Sequence, residues 1–262
     1  MKRILILAVV AAASSLMSSS IFAWGRLGHD AICYIAETHL TKKASQTISS
    51  YLDGASIVYH SVWMDEWRES TEYGYTTKWH VGYVDENGEP YMGRNFEGVE
   101  YKGDVCLEVT RLIEKLKNYK ELDDSTVTVG IKMLIHMVGD MHCPTHIKYP
   151  GVKSFNVVFM GKKVSHHSIW DEAIIAQVHR WNYMEYGYAL DRMSAKERKA
   201  IASGEPVDWY RQSTADCKVI YEWASSGQSL GKKYCMKAHG LADMQIRNAG
   251  YRLARVLNEI FG

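Results

Sequence analysis

Proline is scarce in this chain: four residues in 262, scattered rather than clustered. No linker, repeat or low-complexity run marks a boundary, so one domain is the default reading. Coiled-coil heptads are absent. The apolar run from Ile4 to Ala13 falls well short of the ~20 residues a membrane-spanning helix needs, which argues against an anchor. A surplus of positive charge is also missing, with 31 Lys and Arg against 30 Asp and Glu. Proteins that grip nucleic acid through surface charge are usually basic, so any handling of phosphate here must be local, through metal ions for instance. The five cysteines (Cys33, Cys106, Cys143, Cys217 and Cys235) match no zinc-ribbon or redox spacing, and their number is odd. Cys217 with Cys235 is a candidate disulfide in an exported protein. Cys33, on the apolar side of an expected helix, reads as buried and reduced.

What is present begins with a secretory leader. Lys2 and Arg3 supply a positive start, the apolar run follows, and Ile21-Phe22-Ala23 ends on the small residue that cleavage requires. Residues 1–23 are therefore expected to be a signal peptide, leaving Trp24 first, with a free α-amino group, in an exported chain bound for the periplasm or the medium. Loss of Lys2 and Arg3 leaves 29 basic residues against 30 acidic, a balance of −1. Residues 24–262 suffice for one domain with a proper core.

Most of that domain has helical periodicity. Helices are expected over Gly28–Leu40, from a Thr41 cap to Leu52, and over Val58–Glu69, Asp104–Tyr119, Val127–Met141, His167–Trp181, Pro206–Ser225 and Leu241–Phe261. Val127–Met141 is so apolar that it should be central. Phe155–Lys163 reads as a β-hairpin, Tyr75–Val84 as extended, and Gly88–Gly103 as surface loop. The expected class is mainly α, with a minor β ribbon.

The strongest local signal is His136-Met-Val-Gly-Asp140-Met-His-Cys-Pro144-Thr-His146. His136 and Asp140 are four apart and share a helix face. In an apolar helix an unpaired carboxylate is costly; a metal removes that cost, and so would a buried His–Asp hydrogen bond. His167 and Asp171 repeat the spacing, and imidazole with carboxylate is a good zinc donor set. His166 is the alternative to His167, with the wrong spacing for a shared face. Asp65 and Arg68 are three apart and either face a cavity together or form a surface ion pair worth little. His80, alone in a segment expected to be extended, is by itself more simply structural. Trp24-Gly25-Arg26-Leu27-Gly28-His29 places a new amine five residues before a histidine; an amine and its adjacent carbonyl can chelate a metal, with Gly25 and Gly28 letting the chain turn back.

In order and approximate gaps, these motifs resemble the S1/P1 nucleases: Trp-Gly-x-x-Gly-His, Trp-x-Asp-Glu-x-Arg, His-x-x-x-Asp-x-x-x-Pro-x-His and His-x-x-x-Asp. Asn248–Ala254 is also similar, so the likeness runs from Trp24 nearly to the C-terminus. The resemblance implies a helical domain of the phospholipase C/P1 nuclease type and three zinc ions. Asp65, His80, His136 and Asp140 would hold one. Trp24, through amine and carbonyl, with His29 and Asp140, would hold a second. His146, His167 and Asp171 would hold the third. It further implies hydrolysis of single-stranded DNA, RNA or oligonucleotides by a zinc-activated water, leaving 5′-phosphate ends, with 3′-nucleotidase action open. Arg68 would neutralise charge in the transition state, Asp65 would also orient the water, and the enzyme would be a monomer without stable membrane association.

Departures fall outside the ligand set. Val81 follows His80 where the fungal members carry a base-stacking aromatic; Tyr83, Trp79 or Trp63 could replace it. Tyr83 stands at an acidic base-contact position, and Gly151-Val152-Lys153 replaces Gly-Gly-Asn; Lys153 reads as a phosphate contact or, more simply, as a solvated loop charge. The fungal disulfide pattern is not reproduced. The rival readings are a zinc phospholipase C, disfavoured by the position of His29 and by Asp171 in place of Glu, and a non-catalytic metal- or nucleotide-binding protein.

Overall fold

Local signals account for the first helices of the computed structural model, which describes residues 24–94 and 103–262. The expected leader and part of the Gly88–Gly103 loop lie outside the described residues. Helix α1 spans Arg26–Thr38 and α2 Lys42–Tyr51, the latter capped by the Thr41 hydroxyl accepting from Ala44 N–H. Next come a 3₁₀ turn (Ile57–His60) and a short α3 (Trp63–Trp67), where one helix was expected over Val58–Glu69. The break has a physical reason: the Ser61 carbonyl accepts from His136 Nδ1–H at 2.8 Å, and the Ser61 hydroxyl bonds Asp30. Tyr75–Val84 is likewise not extended throughout; a 3₁₀ turn (Gly74–Lys78) precedes the two-residue β1 (Gly82–Tyr83).

Helix α4 (Val105–Leu116) starts where the Asp104 carboxylate accepts from Leu107 N–H, and α5 (Asp124–Asp140) is capped by Asp123. After a 3₁₀ turn (Pro144–His146), β2 (Ile147–Lys148) pairs in parallel with β1, Gly82 opposite Ile147. The hairpin of β3 (Asn156–Phe159) and β4 (Lys162–Ser165) turns through Met160 and Gly161, both at positive φ. A short α6 (His166–Ser168), a π-wound turn (Ile169–Ala173) and α7 (Ile174–Val178) stand where one regular helix to Trp181 was expected. Next are α8 (Tyr183–Leu190), α9 (Ala195–Ile201), α10 (Pro206–Cys217) and α11 (Ile220–Trp223). β5 (Ser229–Leu230) adds in parallel to β3. The last helix, α12, runs over Lys232–Phe261, nine residues earlier than its expected start at Leu241.

Helix α5 is central, as its composition requires. Val127, Ile131, Leu134, Ile135, Met137 and Val138 are all fully buried, among α1, α2, α3, α4 and α12. Each such side chain contributes roughly 1.5–3 kcal/mol on burial, which fixes the C-terminal end of α5 deep inside. All five cysteines are free and buried. Cys217 and Cys235 therefore do not form the candidate disulfide; both serve as small apolar groups in the core. No described helix is long and apolar enough to cross a membrane.

Candidate metal centre

The last turn of α5 carries His136 and Asp140, both wholly buried. His136 donates Nδ1–H to the Ser61 carbonyl, which turns Nε2 inward. There Nε2 lies 3.2 Å from Asp140 Oδ2, 3.1 Å from His80 Nδ1 and 3.8 Å from Asp65 Oδ2. His80 Nδ1 is 2.8 Å from Asp140 Oδ2 and 3.7 Å from Asp65 Oδ1. Ligands about 2.0–2.1 Å from one tetrahedral ion lie about 3.3 Å apart, so these four side chains are spaced as the donors of one ion.

Asp140 Oδ1 faces elsewhere, 3.3 Å from His29 Nε2 and 3.7 Å from His146 Nδ1. The His29 ring stacks on His136 at 4.2 Å between centroids. It fits there because residue 139 is glycine: a Cβ would stand 2.7 Å from His29 Nδ1. Trp24 is fully buried against the first turn of α1, where a Cβ on Gly28 would come 2.8 Å from the Trp24 Cβ. Gly25 and Gly28 thus act through close approach, and neither adopts a positive φ.

A third group gathers on the other side of His146. Its Nδ1–H donates to the His80 carbonyl at 2.5 Å, and its Nε2 lies 3.1 Å from His167 Nε2. His167 Nε2 is in turn 3.2 Å from Asp171 Oδ2. The β1–β2 pairing is what joins the groups, since His80 precedes β1 and His146 precedes β2. The Asp171 carbonyl accepts from Gly25 N–H at 2.6 Å, tying the start of the described chain to this group. His166 is excluded from the centre: it stacks on Phe155 and its Nε2 bonds the Tyr234 hydroxyl at 3.0 Å.

The donors fit metal ions on one decisive count. Both nitrogens of His29, both carboxylate oxygens of Asp65, His80 Nε2, Asp140 Oδ1 and Asp171 Oδ2 are buried with no hydrogen-bond partner. Polar atoms left this way are expensive, and here His29 Nε2 and the Asp65 and Asp140 oxygens face the donor groups described above, while His29 Nδ1 lies against Gly139. Charge is unbalanced in the same place. Burial disfavours charge on His136, yet Asp140 and Asp65 outweigh it and raise the imidazole to about 9. Burial alone would raise Asp140, but His136 and His146 draw it well below the usual carboxylate range. Asp171, buried and near Asp140, is pushed well above that range. Burial lowers His29 and His146, and lowers His167 to about 3, leaving them as neutral imidazoles, the form that ligates metal.

Arg68 Nη1 lies 3.5 Å from Asp65 Oδ1, with the carboxylate wholly buried and the guanidinium largely so, which sets this pair apart from an open surface ion pair. Trp63 stacks near Trp67 and packs edge-on against Tyr73, while Trp79 packs against Tyr75. Lys153 is exposed.

Sequence reasoning missed Cys143 and Lys148. Cys143 Sγ lies 3.6 Å from Asp171 Oδ1 and is grouped with His146 and Asp171. Lys148 lines a cavity with Thr145 and His167, its Nζ donating to the Thr145 carbonyl at 3.0 Å. Both flank the Pro144–His146 turn, and that proximity was the available signal. Arg252 was seen only as part of a similar tail. Its buried guanidinium donates to His142 Nε2 at 2.7 Å and to the Ile201 carbonyl at 3.1 Å. His142 in turn donates to the Val138 carbonyl, so Arg252 braces the end of α5.

The family model described as S1/P1 Nuclease matches residues 24–262. Nuclease PA3 from Penicillium sp is 26% identical over 91% of this chain and 98% of its own. Endonuclease 2 from Arabidopsis thaliana is 24% identical over 93% of this chain and 92% of its own. Nuclease P1 from Penicillium citrinum is 24% identical over 91% and 98%.

Proposed function

The chain belongs to the S1/P1 nuclease family, and from that premise we propose that it is an exported zinc phosphodiesterase cleaving single-stranded DNA or RNA to 5′-phosphate ends. The observation that carries the reading is the convergence of buried, unpartnered imidazole and carboxylate atoms at the end of α5. Asp65, His80, His136 and Asp140 would hold one zinc. His29 and Asp140, with the freed amine and carbonyl of Trp24, would hold a second, and His146, His167 and Asp171 a third. Zinc bound there would supply an activated water at neutral pH and positive charge for the phosphate oxygens.

The protein's own groups do the rest. Arg68 sits beside Asp65, partly exposed, where it would neutralise charge on a scissile phosphate held near that carboxylate. Asp65 turns its carboxylate toward His80 and His136, where it would orient the attacking water. Lys148 adds a second cation on the His167 side, though burial lowers its affinity for the proton. The neutral His146 and His167 give up no proton on binding metal. The aromatic group of Trp63, Trp67 and Tyr73 offers flat surface for unstacked bases, which suits single strands over duplex.

The test uses the secreted, leader-free protein on denatured DNA and on RNA, with and without chelator, and reads acid-soluble product and its end groups. The expected result is chelator-sensitive release of fragments with 5′-phosphates. Cleavage of phosphatidylcholine without cleavage of nucleic acid would overturn the reading, as would chelator-insensitive cleavage. A form retaining Met before Trp24 should bind about one zinc fewer; equal zinc content and activity would remove Trp24 from the ligand set.

A further inference from the structure

A third His-x-x-x-Asp pair, His239 and Asp243, lies on α12 and plays no part in the centre described above. Helical spacing puts its members on one face, with His239 Nδ1 3.2 Å from Asp243 Oδ2. Alone, this would be an ordinary half-exposed ion pair. A third donor arrives from a different element. His179, which ends α7, points Nε2 at the same Asp243 Oδ2 from 3.8 Å. That separation is too long for a hydrogen bond and suits two ligands of one ion. The three donor atoms lie within 4.8 Å of one another.

The surroundings hold the donors in these positions. The buried Tyr186 donates its hydroxyl to Asp243 Oδ1 at 2.5 Å, which occupies one carboxylate oxygen and leaves Oδ2 for the imidazoles. The His179 ring stacks on Trp181 at 4.2 Å between centroids and 5° between planes. All three donors are half-buried, so water can complete the coordination.

We propose that His179, His239 and Asp243 form a further metal site, separate from the buried centre, that takes one zinc-like divalent cation. Two imidazoles and one carboxylate select the borderline ions of that class over calcium and magnesium, which prefer all-oxygen sites. Its position defines what it does. The segment His166–Val178 carries His167 and Asp171, and its far end is His179. An ion at His179 clips that segment to α12, which already braces α5 through Arg252. The site therefore stabilises the frame of the buried centre and takes no part in hydrolysis.

The experiment dialyses the secreted protein against buffered Zn2+ up to about 100 μM and counts bound zinc by elemental analysis. Wild type is compared with His179→Ala and His239→Ala, both at half-exposed positions. Wild type should retain one ion more than either variant, and added Zn2+ should raise its Tm by roughly 5 °C over theirs near a hundredfold excess over Kd. Cleavage of denatured DNA should be equal in all three. An equal zinc count in wild type and both variants would overturn the site. A fall in DNA cleavage with unchanged zinc count would overturn it too, by linking these histidines to the reaction. Because the readout is a difference between proteins, failure here does not depend on how the buried centre is filled.

Discussion

The two His-x-x-x-Asp pairs of the buried centre share a spacing and little else. His136 and Asp140 sit on a regular α-helix, both wholly buried, with the imidazole raised to about 9. His167 and Asp171 span a π-wound turn, with His167 partly exposed and lowered to about 3. The difference follows from what faces each pair. Asp140 is ringed by four imidazoles, of His29, His80, His136 and His146, within 3.7 Å, and its two oxygens look into two groups of donors. Asp171 has a thiol and a hydroxyl on one oxygen, Cys143 and Thr145, and one imidazole on the other. Equal sequence spacing therefore yields a carboxylate facing two groups of donors in one place and a carboxylate facing a single imidazole in the other. The π turn belongs to this difference: wide turns inside helices commonly mark functional sites, and this one lets the Asp171 carbonyl meet Gly25 while its carboxylate meets His167.

The largest effect that can break the comparison comes from neutralising each acid. Asp140→Asn should lower kcat/KM on denatured DNA by about a thousandfold or more, since an interaction of ~4 kcal/mol or greater is removed at two ions together. It should also release up to two equivalents of zinc. Asp171→Asn should cost roughly a hundredfold and about one equivalent. Steady-state kinetics with zinc analysis on both variants decides the matter. Equal losses would mean that Asp140 is not shared.

How much of this was legible beforehand follows the same line between local and non-local causes. The α5 pair could be read because helical periodicity, the Asp123 cap and Pro144 all lie within one stretch of sequence. Asp104 and Thr41 announced α4 and α2 in the same way. Helices α8 and α9 were overlooked although Asn182 with Glu185 and Ser194 with Glu197 form capping boxes, a local signal left unused. The early start of α12 was overlooked although Tyr234, Cys235, Ala238 and Ala242 form a buried stripe at helical spacing, a local signal that the glycine at 240 interrupts. The break at Ser61 could not be read at all, because its cause is a histidine 75 residues away. His80 looked structural for the same reason: the β1–β2 ladder that carries it to His146 is two residues long and pairs residues 65 apart in sequence. The full set of proposed ligands rests on the family resemblance, which joins segments that no local signal connects.

A middling effect tests whether the two pairs are braced independently. Behind the first pair, the buried Arg252 makes charge-assisted bonds to His142 and the Ile201 carbonyl and also reaches Gln212. Arg252→Met keeps much of the volume and leaves those acceptors unpaired, so stability should fall by about 2–4 kcal/mol in urea titration. Activity per folded molecule should fall as well, because the end of α5 loses its support. A loss under 0.5 kcal/mol would show that packing alone holds that end.

Behind the second pair the brace is neutral and correspondingly weaker. His166 Nε2 and Trp170 Nε1 both bond the Tyr234 hydroxyl at 3.0 Å, fixing the π turn from outside. Tyr234→Phe keeps the ring and removes the hydroxyl, so the cost should be about 1 kcal/mol, the net worth of a neutral buried hydrogen bond plus some desolvation. Trp170 Nε1 retains His166 Nε2 as an acceptor at 3.2 Å, which limits the loss. Zinc content should be unchanged and kcat/KM should drop severalfold at most. A drop as large as that of Asp171→Asn would mean that the π turn depends on this one hydroxyl. The second pair would then be held more tightly by its surroundings than the first, reversing the order argued from charge.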